Sequence, residues 1–164
     1  NHAEAPVFIQ SFEVSNLRQL RKQTTVRLMQ LMSPNGKPYD AVAAGRSTSY
    51  ADMITPAGLA DIATYAYGIG ASKTMIVPIK DGKNAAPTGL VGAAHRAGLK
   101  VHVWTLRPEN AFLPASLKAH PVENGATRGN AAADFESFLR TGVDGIFTDD
   151  PAVGRAAITT YQAR

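Results

Sequence analysis

Five short apolar segments alternate with amphipathic segments along this 164-residue chain, and the alternation limits the folds open to it. The candidate strands occupy residues 6–12, 25–32, 67–70, 100–106 and 144–148. Because a helical segment separates each candidate strand from the next, consecutive strands must pair in parallel through right-handed crossovers. The sequence therefore predicts an α/β fold. The pattern alone leaves a barrel and a small doubly wound sheet as alternatives.

Boundary signals mark the helices that lie between the strands. Ser15, Thr55 and Thr88 are hydroxyl residues at the starts of amphipathic segments, and each is predicted to cap its helix. Gly68 and Gly70 are predicted to end the helix that begins after Thr55. We also expect a helix over residues 130–140, where apolar residues recur at helical spacing.

Two long segments lack periodicity. Residues 37–54 are rich in Gly, Ser and Thr, and residues 107–129 are irregular, so both are predicted to be loops. Long loops of this kind are more often functional than structural.

Composition excludes several kinds of site. The chain contains no cysteine, so a disulfide, a thiolate metal site and a cysteine nucleophile are all ruled out. No apolar run approaches the roughly 18 residues of a membrane span, and no signal-peptide pattern is present, so we expect no membrane-spanning segment here. The formal net charge of +4 suits an anionic ligand. Because no basic stripe alternates with aromatic residues, nucleic acid is not an expected partner.

Two motif-like segments have simple explanations. GIGASKT at residues 68–74 resembles a phosphate loop, but Ser72 stands where that loop requires Gly before Lys. Asp149 and Asp150 are adjacent, and neighbours in a strand point to opposite faces. Because Pro151 follows, one of the pair is predicted to cap a terminal helix, with Asp149 left as a candidate at the mouth of a barrel.

Polar side chains within the strands are the candidates for a pocket. The four histidines show no metal-ligand spacing, but His102 shares a strand face with Trp104, either in a pocket or in a satisfied core. Gln10 shares a face with Phe12 in the first strand, and Gln30 occupies a matching place in the second. A Gln inside an apolar strand needs hydrogen-bond partners, which a barrel interior or a ligand pocket supplies.

Taken together, five segments resemble the glycerophosphodiester phosphodiesterase family, especially its longer, periplasmic type. They are VFIQSFE at residues 7–13, VRLMQLM at 26–32, YAYGIGASKTMI at 65–76, AHRAGLKVHVWTLR at 94–107 and GVDGIFTDDP at 142–151. Each segment alone is unspecific, but their order and distances cover nearly the whole chain. The resemblance implies a TIM (β/α)8 barrel, of which residues 1–164 provide roughly strands four to eight, with an insertion at about 33–54.

The resemblance also implies an activity. The intact barrel is expected to hydrolyse glycerophosphodiesters to glycerol 3-phosphate and an alcohol, with a divalent cation, Ca²⁺ or Mg²⁺. In the family, the metal ligands and both acid/base histidines come from N-terminal strands whose motifs do not occur here. We therefore assign no catalytic or metal-binding residue to this chain, and expect it to be inactive alone. The alternative is a non-catalytic module that binds phosphoesters or lipid headgroups.

The expected partners are the missing N-terminal strands or a complementing chain, because a partial barrel exposes unpaired edges that favour dimerisation or swapping. The resemblance favours a periplasmic or secreted location. The resemblance implies that the substrate-binding residues include Gln10, Phe12, His102, Trp104 and Arg107. We add Gln30 to these candidates because it occupies a matching place in the second strand. Phe12 and Trp104 would pack against glycerol. The insertion adds Tyr39, Arg46 and Tyr50.

Overall fold

The computed structural model describes residues 2–164, in which a curled parallel sheet carries helices on its outer face. The strands are β1 (Phe8–Ser11), β2 (Arg27–Met32), β3 (Gly68–Ser72), β4 (Ile79–Lys80), β5 (Lys83–Asn84), β6 (Lys100–Leu106) and β7 (Gly145–Thr148). The helices are α1 (Val14–Arg21), α2 (Tyr39–Ala43), α3 (Tyr50–Met53), α4 (Pro56–Ile62), α5 (Lys73–Ile76), α6 (Leu90–Arg96), α7 (Ala131–Leu139) and α8 (Pro151–Gln162). None of the helices described is long and apolar enough to cross a membrane.

The five long strands lie in chain order. The sheet runs β1-β2-β3-β6-β7 with every pair parallel, while β4 and β5 form a separate antiparallel hairpin. A doubly wound sheet reverses its strand order at a switch point, and no reversal is present among these strands. The α/β prediction is confirmed, and the doubly wound alternative is wrong.

The curl of the sheet is visible in a single contact. The rings of Phe8 on β1 and His102 on β6 lie 4.8 Å apart between centroids, although β2 and β3 separate the two strands. In a flat sheet, three strand spacings would place them about 14 Å apart. The sheet therefore curls as the wall of a barrel does.

The hydrophobic core lies on the convex face, between the strands and the helices. It includes Leu28 and Met32 of β2, Ile69 and Ala71 of β3, and Val101 and Val103 of β6, together with Leu17, Leu59, Ile62, Leu90, Phe135 and Phe138 from the helices. Because side chains alternate along a strand, only every second strand residue enters this core. The intervening residues face the concave side.

Three of the predicted helix boundaries need correction. Ser15 does not cap α1; it lies inside the helix, and its backbone N–H donates to Asp40 Oδ2 at 2.7 Å, so a carboxylate distant in sequence takes the capping role. Gly89, at φ +84°, is the N-cap of α6, although Thr88 Oγ1 still accepts from the N–H of Leu90 at 3.4 Å.

The third correction concerns the second predicted helix. That helix, α4, ends at Ile62, and Gly68 and Gly70 lie within β3 instead of ending it. Thr55 does cap α4, because its hydroxyl accepts from the N–H of Gly58 at 3.1 Å.

The two aperiodic segments are more ordered than predicted. Residues 37–54 contain α2 and α3, and α3 begins with a capping box between Ser49 and Asp52. In residues 107–129, the fully buried Asn110 donates to the carbonyl of Ala119 at 2.7 Å and accepts from its N–H at 2.9 Å. One polar side chain thus replaces the periodic packing that sequence patterns detect.

Candidate functional site

Aromatic side chains line the concave face of the sheet. Phe8, Gln10 and Phe12 alternate onto this face from β1, and His102 and Trp104 do so from β6. Phe8 and Phe12 each remain 38% exposed, in contrast to the fully buried residues of the convex core. A partly exposed aromatic wall with a few polar groups is typical of a ligand site.

Two glycines make room for this wall. A Cβ on Gly70 would stand 2.5 Å from Leu31 Cδ2, and one on Gly145 would stand 2.7 Å from the His102 ring. Both strand partners of His102 are these same glycines, and their lack of side chains leaves room for Leu31 at Gly70 and for the His102 ring at Gly145.

Phe12 and Trp104 meet near the carboxyl ends of their strands, where TIM-barrel sites are found. Their centroids are 5.8 Å apart and their planes cross at 89°, an edge-to-face pair. The indole Nε1 of Trp104 donates to the carbonyl of Gly70 at 2.8 Å, which fixes the ring orientation. The ring of the buried Tyr50 of α3 also contacts Phe12, with centroids 6.3 Å apart.

His102 lies deeper in the barrel than Trp104. Its ring contacts Phe8 and, at 5.8 Å, Phe147 of β7. Burial lowers the pKa of His102 below its ordinary value, and the charge of Asp144 offsets this only partly. The imidazole is therefore neutral at neutral pH, with one donor and one acceptor nitrogen.

A positively charged side chain, that of Arg107, lies at the carboxyl end of β6. The β6–β7 register shifts between Val103 and Leu106, so that Leu106 enters the core and Arg107 emerges on the side of Trp104. Arg107 Nε pairs with Asp149, and its guanidinium carbon lies 4.4 Å from the centroid of the Phe112 ring. Asp150 caps α8 by accepting from the N–H of Val153 at 3.0 Å, which leaves Asp149 at the mouth.

Gln30 does not join the other candidates, because it faces the convex side. Its Oε1 accepts from the Tyr65 hydroxyl at 2.9 Å, and its Nε2 donates to the carbonyl of Phe12 at 3.0 Å. The side chain is fully buried. Gln10 and Gln30 occupy matching sequence places but opposite faces, so the prediction that Gln30 lines the pocket does not fit its position.

The insertion contributes one of its three candidates to the site. Tyr50 contacts Phe12, whereas Tyr39 is 71% exposed and Arg46 lies 3.4 Å from Asp40. Asp40 in turn binds the first turn of α1. Although burial alone would raise its pKa, hydrogen bonds from Ser15 and nearby backbone groups lower the pKa of this carboxyl. The insertion is thus fastened to the end of β1 beside the aromatic pair.

The part of the chain that the structure describes has no cluster of metal-binding side chains. Among residues 2–164, no three His, Cys, Asp or Glu side chains come close enough to hold a metal ion. Asp149 and Asp150, which follow the end of β7, are paired with Arg107 and Arg128. Residues 2–164 by themselves therefore do not fit a divalent cation.

Sequence reasoning missed two clusters of charged residues. The first is the fully buried Asp134, whose partners Lys73 and Asn84 come from distant segments. The second is Asp144, which binds His95 Nε2 and Lys100 Nζ, each at 2.8 Å. The only available signal was the position of each residue next to a strand or helix end, and this does not identify a partner.

Comparisons with known proteins agree with this geometry. A model of the glycerophosphoryl diester phosphodiesterase family matches residues 1–153. The glycerophosphodiester phosphodiesterase GDPD6 of Arabidopsis thaliana is 32% identical over 145 residues, which cover 88% of this chain and 35% of that protein. The chain thus spans about a third of the length of this relative.

Solved structures support the fold. One from Silicibacter pomeroyi, assigned as a glycerophosphoryl diester phosphodiesterase, superposes with a TM-score of 0.57 at 21% identity and covers 94% of this chain and 38% of that one. Another with the same assignment, from Agrobacterium tumefaciens, gives a TM-score of 0.50 at 20% identity over 94% and 44% of the two chains. The curled parallel sheet is thus a segment of a TIM barrel, as predicted.

Proposed function

The chain belongs to the glycerophosphoryl diester phosphodiesterase family, and on this premise we propose that the complete barrel hydrolyses glycerophosphodiesters to glycerol 3-phosphate and an alcohol. In this proposal residues 1–164 form the C-terminal part of one barrel domain, with the insertion at about 33–54 beside its mouth. The remaining strands cover the edges of β1 and β7 and the open concave face.

The observation that carries the proposal is the edge-to-face pair of Phe12 and Trp104 at the strand ends. Such a pair offers an apolar wall suited to the carbon chain of glycerol. Arg107, directly after β6, binds Asp149 through Nε, and no hydrogen bond from its two terminal amino groups is present among residues 2–164, so both groups can donate to the anionic phosphodiester. Gln10 and the neutral His102 add polar contacts deeper on the same face.

Metal binding and proton transfer belong to the rest of the barrel in this proposal. The family is generally metal-dependent, and the cation, Ca²⁺ or Mg²⁺, would be held by residues outside this chain. Residues 1–164 bind and orient the substrate and exclude water from one side of it. The modest positive charge of the chain favours entry of the anionic substrate, an effect that weakens with salt.

The test is an assay of glycerol 3-phosphate release from glycerophosphocholine and glycerophosphoethanolamine. We expect release by the polypeptide at its natural length with added Ca²⁺ or Mg²⁺, loss of release with chelator, and none from the 164-residue chain alone. Saturable binding of these compounds by the natural-length protein without release, under every cation tried, would favour the non-catalytic binding module. The periplasmic or secreted location stays a prediction, which cell fractionation would test.

A further inference from the structure

The buried carboxylate of Asp134 has no part in the proposed reaction, yet its burial carries a large desolvation penalty. The residue is 0% exposed, and a buried carboxylate requires hydrogen bonds and a nearby cation. Its Oδ1 accepts from Asn84 Nδ2 at 3.0 Å, and its Oδ2 lies 3.4 Å from Lys73 Nζ. Asp134 therefore fixes the position of the Lys73 ammonium group.

Lys73 connects Asp134 to the loop that follows β6. It comes directly after the last residue of β3, so its backbone belongs to the barrel rim. The Lys73 side chain is 14% exposed. Its Nζ also donates to the backbone carbonyl of Phe112. The loop is thereby tied at Phe112 to a neighbouring strand end and to α7.

The ring of Phe112 in turn lies against the guanidinium group of Arg107. Its ring is 40% exposed, so its burial adds little to the core. The guanidinium carbon of Arg107 stands 4.4 Å from the ring centroid, within the range of a cation–π contact, and Asp149 holds Nε. Arg107 is thus fixed between a ring and a carboxylate that come from different segments.

We propose that Phe112, tied down by Lys73 and Asp134, is a positioning residue that holds the Arg107 guanidinium ready for the phosphodiester anion. This role rests on the proposed function for its ligand, but the geometry of Arg107 does not. A positioned guanidinium donates two hydrogen bonds at a smaller loss of side-chain freedom than a mobile one.

The kinetic test is a double-mutant cycle in the natural-length protein with glycerophosphocholine as substrate. Phe112→Leu is expected to raise KM by about two- to fivefold with kcat unchanged, and Phe112→Tyr to leave KM near the wild-type value. In an Arg107→Gln background, Phe112→Leu should have no further effect. Full additivity of the two substitutions, or an unchanged KM in Phe112→Leu, would overturn the proposal.

A second test needs no activity, so it separates this role from the proposed function. In the natural-length protein, the ¹⁵Nε–H resonance of Arg107 should be protected from exchange and shifted by the Phe112 ring. Phe112→Leu and Lys73→Met should each move it and speed its exchange, while Lys73→Arg should restore the wild-type signal. A resonance that does not change in Phe112→Leu would overturn the proposal, even if the natural-length protein releases glycerol 3-phosphate.

Discussion

The two faces of one sheet differ more than any two segments of the chain. On the convex face, Val101, Val103 and Ile69 are completely buried against helices. On the concave face, Trp104, the sequence neighbour of Val103, is half-buried, and Phe12, which follows the end of β1, is 38% exposed. Alternate residues of the same strands thus belong either to the core or to the site, and a shift of one residue would exchange the two roles.

The difference teaches that stability and binding can be altered separately in this fold. A substitution on the convex face removes packing that the helices share, whereas one at Phe12 or Trp104, near the strand ends of the concave face, changes a partly exposed surface. Substitutions matched across the two faces therefore test whether this division is real.

The largest effect is expected from Phe135 of α7, which is 0% exposed in the convex core. Phe135→Ala should lower the free energy of unfolding by about 3–5 kcal/mol, through lost burial and the cavity left behind. The matched variant Phe12→Ala should cost markedly less, because that ring is 38% exposed. Urea unfolding of both variants measures the contrast, and equal losses would remove the distinction between the faces.

The two glutamines provide the next largest contrast. Gln30→Ala leaves the Tyr65 hydroxyl and the Phe12 carbonyl without their partner, which should cost about 2–3 kcal/mol. Gln10→Ala should lie within about 0.5 kcal/mol of wild type, because Gln10 is exposed on the concave side. If Gln10→Ala proves the more destabilising in urea, the assignment of faces is wrong.

These glutamines also show how far sequence can predict this molecule. Alternation of strands and helices predicted the parallel sheet, and the face shared by His102 and Trp104 was evident from their spacing. Spacing does not reveal which face of a strand meets helices, so Gln30 was grouped with Gln10. The partners of Asp134 and the order around Asn110 depend on contacts distant in sequence, which local patterns do not encode.

Gly70 tests the crowding of the concave face. Gly70→Ala places a Cβ 2.5 Å from Leu31 Cδ2 and 3.6 Å from Trp104 Cδ1, so it should cost about 1–3 kcal/mol and shift the indole. Trp104 is the only tryptophan, so its fluorescence reports this shift directly. Gly92→Ala, on α6, is the control, because its Cβ meets only the end of the Arg96 side chain at 3.5 Å. An emission spectrum that does not change in Gly70→Ala would contradict the crowded arrangement.

The smallest effect expected is the pH dependence that His102 contributes. Because burial lowers its pKa in the folded state, the unfolded chain binds a proton first as pH falls below about 6.5. The free energy of unfolding should therefore decrease from pH 7 towards pH 5, and His102→Phe should reduce that slope. A slope that is the same in His102→Phe as in wild type would place His102 in a solvated environment.

The central claim is that the concave face at the strand ends binds the substrate. Its most direct test is kcat/KM of Trp104→Ala for glycerophosphocholine in the natural-length protein, with folding checked by circular dichroism. A decrease on the order of tenfold or more, in a variant that stays folded at the assay temperature, is the predicted result. Wild-type kcat/KM at subsaturating substrate in a folded Trp104→Ala variant would contradict it, because the indole would then lie outside the site.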